Sequence, residues 1–371
     1  MSSIVILHFS PLELYPPIQN LLVQLERTQI VFTVHVITTQ DTGGEIPTFC
    51  LNSNRIKIVR YGKSGRVPSA FVRYWNYLKF HGWAVWYLIT INPKRVLYFE
   101  TLSSFPVYIY KYLFRSSAEV LIHYHEYTSP KEYNNLKLMG FFHHLEKNLL
   151  LHAKWVSHTN IYRLEKFKED IYPFIINNAF ILPNYPPKSW YSPARQKIDV
   201  PVKIVHVGAL SLSHMYTKEF ARWVLLQNGK AQWDIYGYNI TEDTKAYING
   251  LNSDFIRIMP GVSYDELPMI LKAYQIGVIL YQGVIPNHVY SVSNKLYEYL
   301  MCGLGVWFPS DIIGSYEYVT ENSYPEVVKL FFNKLSDHKI DSAIDRTDFQ
   351  LKRPDFYCED VLKPLINKLT T

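Results

Sequence analysis

Cysteine is scarce: Cys50, Cys302 and Cys358 are the only three in 371 residues, far apart and odd in number. That spacing excludes a disulfide framework and a zinc-finger pattern, and it points to a reducing compartment. Charge is sparse too, at 19% of residues. No block of like charge occurs; Arg163, Lys166 and Lys168 make one basic helix, and nothing resembles a nucleic-acid-binding arm. Long hydrophobic runs are missing. The longest uncharged stretch of the aromatic-rich region covers residues 80–93, too short to span a bilayer. No basic leader precedes Pro11, so no signal peptide is expected and the cytoplasm is the expected compartment. Neither a nucleophile elbow nor a P-loop appears.

What the chain does hold is apolar and aromatic: 48% hydrophobic residues, with 30 tyrosines and 8 tryptophans. Such a composition folds, and 371 residues exceed one ordinary core, so two domains are expected. The net charge of +6 is diffuse. It suits an anionic ligand or an anionic membrane surface, and it lacks the basic clusters a nucleic acid requires.

Short apolar or β-branched runs alternate with helical patterns. Strands are expected at residues 4–9, 31–38, 56–59, 96–99, 120–123 and 155–158, with helices at 16–25, 71–89, 105–114, 136–151 and 160–168. Five prolines between Pro183 and Pro201 break the pattern and mark a linker over residues 186–201. A second alternation follows, with strands at 202–207, 233–236, 255–259, 276–280 and 306–308. Its helices fall at 218–226, 241–251, 263–273 and around 293–302, and a last helix covers 357–369. Strands alternating with helices imply parallel, doubly wound sheets with ligands beyond the strands' C-terminal ends. The expected architecture is α/β, two Rossmann-like domains facing a cleft. Residues 1–185 form the first domain and 202–350 the second, and the tail 351–371 packs back on the first.

The segment 291–309 carries the most chemistry. Ser293 caps a short helix and Gly303 ends it. Lys295 and Glu298 stand three residues apart near its start, where helix N–H groups attract phosphate and a carboxylate accepts hydroxyl protons. An exposed ion pair worth about 0.3–0.5 kcal/mol is the plainer reading of that pair. His125 and Glu126 end a strand, a position for a structural histidine or for one that meets a substrate. His143-His144 and His123 raise zinc, but no helical i, i+4 partner or cysteine set supports it. The stretch 71–88, dense in aromatics with Arg73 and Lys79, is either a buried core helix or a membrane-interface helix.

The run Asn294-Lys295-Leu296-Tyr297-Glu298-Tyr299-Leu300-Met301-Cys302-Gly303 resembles the signature of GT-B-fold glycosyltransferases, in particular the retaining family 4 ("glycosyl transferases group 1") enzymes. Residues 202–210, Leu182-Pro183-Asn184, Pro260-Gly261-Val262 with Asp265-Glu266-Leu267, and His123-Tyr124-His125-Glu126 resemble other family segments in the family's order. The resemblance implies that Glu298 holds the ribose hydroxyls, while Lys295, Ser293 and Asn294 sit near the diphosphate. Gly208 ends the first donor-domain strand, and Gly261 and Val262 line the base pocket. Lys218 is a loosely aligned diphosphate lysine, and His125, with Glu126, faces the transferred sugar. Tyr290 stands where the family has a glutamate, with Ser291 beside it, and Ala209 stands where it has an arginine.

The activity so implied is transfer of a sugar from a nucleotide-diphosphate sugar to a saccharide acceptor, with retention and without a metal or other cofactor. The acceptor would be a cell-surface polysaccharide or glycolipid, met at the inner face of a membrane by a peripheral contact. A sugar-nucleotide epimerase of the same fold is the alternative, and a catalytically degenerate saccharide- or partner-binding homologue is another. The nucleobase, the sugar and the linkage are not readable from the chain.

Overall fold

A computed structural model describes residues 3–28, 32–41, 47–64, 69–194, 200–340 and 350–371. The chain divides into two compact units, one of residues 1–184 and 358–371, the other of residues 185–357.

The first unit is built on seven parallel strands: β1 (Ser3–His8), β2 (Thr33–Asp41), β3 (Ile56–Ser64), β4 (Arg95–Phe99), β5 (Glu119–Tyr124), β6 (Trp155–His158) and β7 (Ala179–Ile181). Their order is β3-β2-β1-β4-β5-β6-β7. Strands buried on both faces read as continuous apolar runs, as in Ile4-Val5-Ile6-Leu7. One face is covered by helices Ala70–Ile91, Ser104–Tyr108, Lys137–His152 and Ile161–Ile171, whose Phe80, Ala84, Val107, Leu149 and Phe167 share a core with Val5, Val96 and Ile122. After Tyr108 the helix widens into a π turn over Ile109–Leu113.

The expected helix at 71–89 exists as Ala70–Ile91, and it is not a core helix throughout: Phe80, Ala84 and Leu88 are buried while Phe71, Trp75 and Trp86 stand in solvent. Residues 358–371 pack here as helices Cys358–Val361 and Lys363–Thr370. Arg95 Nη1 donates to Leu369 O at 3.0 Å and Arg27 lies 3.6 Å from Glu359. Residues 351–357 of the expected tail belong to the second unit.

The second unit repeats the order in six parallel strands: β8 (Val202–Val207), β9 (Ala231–Tyr236), β10 (Ile256–Met259), β11 (Ile276–Val278), β12 (Gly305–Pro309) and, after β13 (Ser323–Tyr324), β14 (Val327–Leu330). The sheet runs β10-β9-β8-β11-β12-β14, and β13 pairs separately with β15 (Gln350–Leu351). The order reverses direction between β1 and β4 in one unit and between β8 and β11 in the other, the switch points where doubly wound sheets bind ligands.

The expected linker is in part structural. Trp190 is 3% exposed and its carbonyl accepts from the Cys302 thiol, so residues 185–194 pack into the second unit; the boundary falls at Asn184. Prolines block ladder hydrogen bonds without preventing burial, which is why composition alone suggested a free segment. Residues 195–199 of that linker and 341–349 of the second domain lie outside the described residues.

Candidate functional site

In the second unit, β8 ends at Val207 and the chain turns at Gly208, whose φ of +114° suits a residue without a side chain. A Cβ at Gly208 would lie 3.0 Å from Lys295 Cε and 3.1 Å from Nζ. The glycine therefore leaves the space through which the lysine passes. Lys295 stands in the first turn of helix Asn294–Met301, half-buried, and its Nζ donates to Tyr281 Oη at 3.3 Å. Burial opposes its charge, but Tyr281 and Glu298 outweigh that, so its pKa lies above the ordinary value and the ammonium persists.

Glu298, on the same helix, is 7% exposed. Lys295 turns to Tyr281, and among the described residues no ion pair within 4 Å joins it to Glu298. Burial pushes the Glu298 carboxyl up to about 7, with the charge of Lys295 opposing. The exposed ion pair of the plainer reading does not form. Ser293 occupies the N-cap with φ −64° and ψ 137°, but its hydroxyl caps nothing, and no acidic residue sits in the first turn. The helix start thus presents uncapped amide N–H groups, the arrangement that binds anions, with a cation beside them.

Tyr299 fixes this helix against the sheet. Its Oη accepts the Val207 N–H at 3.0 Å, beyond the Val205↔Gly277 pair where β8 leaves β11. The ring crosses Gly277, where a Cβ would meet Tyr299 Cδ2 at 2.0 Å. Neither Gly277 nor Tyr299 was among the candidate residues; a glycine within a strand was the available signal. His206 ties the neighbouring loops, its Nδ1 lying 3.1 Å from Val278 O and its Nε2 3.0 Å from Ala209 O. Burial, then the charge of Lys295, lowers its pKa to about 4, so the ring is neutral and its single N–H donates to one of these two carbonyls.

Other expected residues fall around this centre or away from it. The Tyr238 ring covers Gly261, whose Cβ would stand 2.3 Å from Tyr238 Cε1, and Val262 is half-buried against the core. Ser291 is 7% exposed and its hydroxyl donates to His288 O at 2.8 Å. Gly314 packs on the carbonyls of Tyr290 and Ser291, and Tyr290 is half-buried. Asn294 is half-buried at the helix start. Lys218 is exposed, its Nζ 5.9 Å from the Tyr247 ring centroid. It is directed to helix Glu242–Gly250, and nothing places it with Lys295.

In the first unit a cavity of about 210 Å³ opens at the C-terminal ends of β1 and β4. His8, Ser10, Tyr15, Glu100, Glu126 and Thr128 line it. Glu100, another residue the sequence did not single out, holds φ +65° and accepts the backbone N–H groups of His125 at 2.6 Å and Glu126 at 3.2 Å. Burial, then the neighbouring Glu126, raises its carboxyl to about 8. The His125 ring is 6% exposed, stacked on Phe99 at 5.2 Å and edge-on to His123 at 4.6 Å. Burial pushes both His8 and His125 down to about 3. Both imidazoles are therefore neutral near pH 7. The His8 ring is 1% exposed, set edge-on to Tyr15 at 4.2 Å. His143 stacks on Tyr133 at 3.9 Å, and among the described residues no trio of His, Cys, Asp or Glu is placed to hold a metal.

No protein-family model and no curated sequence matches the chain. Solved structures do. The Anabaena protein HepE, solved with UDP and glucose, aligns with TM-score 0.65 at 12% identity over 100% of this chain and 99% of its own. A sucrose-phosphate synthase of Thermosynechococcus elongatus gives 0.64 at 13% over 100% and 95%. The UDP-GlcNAc 2-epimerase of Methanocaldococcus jannaschii gives 0.58 at 12% over 99% and 100%. At such identities the likeness establishes the fold: two Rossmann-like units of the GT-B kind.

Proposed function

We propose that the protein is a glycosyltransferase that moves a sugar from a nucleotide-diphosphate sugar to a saccharide acceptor. The carrying observation is Glu298: a carboxyl that burial pushes up to about 7, one turn from an uncapped helix start and a persistent ammonium. Ribose hydroxyls would satisfy the first and a diphosphate the other two. On leaving, the nucleoside diphosphate gains negative charge, which the helix N–H groups and Lys295 meet without a metal. Tyr238, lying over Gly261, would bound the base pocket with Val262. HepE, whose fold this chain shares, was solved with UDP and glucose.

The acceptor reading rests on the first unit's cavity. Its hydroxyls, tyrosine and carboxyls suit a polyhydroxylated ligand, which a carboxyl held protonated at Glu100 can serve as donor. Neutral His125 would donate to or accept from a sugar hydroxyl. We further propose retention of configuration and a role in cell-surface polysaccharide or glycolipid synthesis on the cytoplasmic side, on the family resemblance and the three free cysteines.

Titration of the protein with UDP, GDP and their sugar conjugates tests the donor site: binding that Glu298→Ala weakens is expected. No nucleotide binding, or binding that Glu298→Ala leaves unchanged, refutes the assignment. Because an epimerase shares the fold, products of acceptor-free incubation separate the two activities: a changed sugar still on its nucleotide would favour epimerisation.

A further inference from the structure

Helix Ala70–Ile91 is apolar almost all round, yet the core covers only one side of it. Phe80, Ala84 and Leu88 are fully buried. At helical spacing on the other side stand Phe71 (76% exposed), Trp75 (50%), Leu78 (46%), Trp86 (58%) and Ile89 (39%). A helix apolar on every face normally has both faces covered. The adjoining turn Ile109–Leu113 packs beside it and adds exposed Leu113 and Phe114.

Charge identifies what covers this stripe. From Ser69 to Ala118 the only acidic residue is Glu100, which is bound to backbone N–H groups in the cavity. The same stretch carries Arg73 and Lys79, both exposed on the helix, with Lys111 and Arg115 on the neighbouring turn and the coil after it. Lys79 Nζ lies 5.4 Å from the Trp75 ring centroid, so aromatic and cation form one surface. Pairing with a second copy through this helix would set Arg73 and Lys79 against their own symmetry mates, with no acidic residue on the helix between them. Tryptophan and tyrosine beside arginine and lysine is the composition of a membrane interface. Among the described residues no helix is long and apolar enough to cross a bilayer.

We propose that helix Ala70–Ile91 lies in the interface of an anionic membrane, its aromatic stripe in the headgroup–acyl boundary and Arg73 and Lys79 on anionic headgroups. The surface is independent of the nucleotide site, so either reading can fail without the other.

The test is co-sedimentation of the full chain with vesicles of phosphatidylcholine alone and of phosphatidylcholine mixed with phosphatidylglycerol, at low and high salt. Binding is expected to the mixed vesicles only, weakened by salt. Arg73→Gln with Lys79→Gln should weaken it about thirtyfold, at ~1 kcal/mol per basic residue. Phe71→Ser, Trp75→Ser and Trp86→Ser together should abolish it while UDP binding is unchanged. Quenching of the native tryptophans by brominated acyl chains reads insertion without any variant. Absence of binding to both vesicles, equal binding to both, no quenching, or a dimer dispersed by the serine variant would each overturn the proposal.

Discussion

Glu298→Gln should make the protein more stable and a poorer nucleotide binder. In the folded chain without nucleotide the Glu298 carboxyl is raised from the ordinary 4.5 to about 7 by burial, net of the attraction of Lys295. The sign follows from proton binding: between those values the native state keeps a proton that the unfolded state has lost, so stability falls as pH rises. Above pH 7 the full difference applies, roughly 3 kcal/mol at about 1.4 kcal/mol per pH unit. The attraction of Lys295 is already contained in that figure, so it is not subtracted again. Glutamine has the same shape and never ionises. It should therefore raise the melting temperature at pH 8 by on the order of 5–10 °C for a unit of this size, and change it little at pH 4. UDP binding moves the other way: losing a charge-assisted hydrogen bond for a neutral one costs about 1–2 kcal/mol, or roughly 5–30-fold in Kd. Melting curves at the two pH values and calorimetric titration with UDP check both. A variant that is less stable at pH 8, or that binds UDP within twofold of the parent, would refute the reasoning.

Three further outcomes follow from the same geometry. Gly208→Ala combines a φ of +114° with a Cβ 3.0 Å from Lys295 Cε, so it should displace the lysine, cost about 1–3 kcal/mol in denaturant unfolding and weaken UDP binding. Gly277→Ala drives a methyl into the Tyr299 ring and breaks its bond to Val207; roughly 3 kcal/mol or more of lost stability is expected, whereas Tyr299→Phe should cost only about 1–2 kcal/mol by orphaning that N–H. Glu100, raised to about 8, should likewise make stability fall as pH climbs from its ordinary range through 8, and Glu100→Gln should remove that slope while still accepting from His125 and Glu126; an unchanged slope would show that this carboxyl is ionised throughout.

Much of the fold was legible because each central strand is covered on both faces and reads as a continuous apolar run. β6 and β8 fall at 155–158 and 202–207 as expected, β4 starts a residue earlier, and β1 and β5 differ by a residue at each end. β7, β13, β14 and β15 were missed. They lie at sheet edges or in a separate pair, where exposed positions such as Phe180 and Leu351 blur the pattern. At the site, the spacing of Lys295 and Glu298 was readable because both ride one helix. Glu100 was not, since its meaning comes from a left-handed backbone and from N–H groups about 25 residues away.

The sequence by itself determined the two parallel α/β units, the helix carrying Lys295 and Glu298, and the aromatic helix with its basic flank, because periodicity and local chemistry are properties of neighbours along the chain. Tertiary structure decided the rest. It turned Lys295 through the space over Gly208 to Tyr281, left Glu298 buried with no ion pair to that lysine, sent Lys218 to Tyr247, and exposed the outer face of helix Ala70–Ile91. Burial and pairing depend on what the sheet brings across from distant segments, and protonation follows burial. One side of that helix met the core and, among the described residues, the other stayed exposed, which no pattern of apolar residues alone could show.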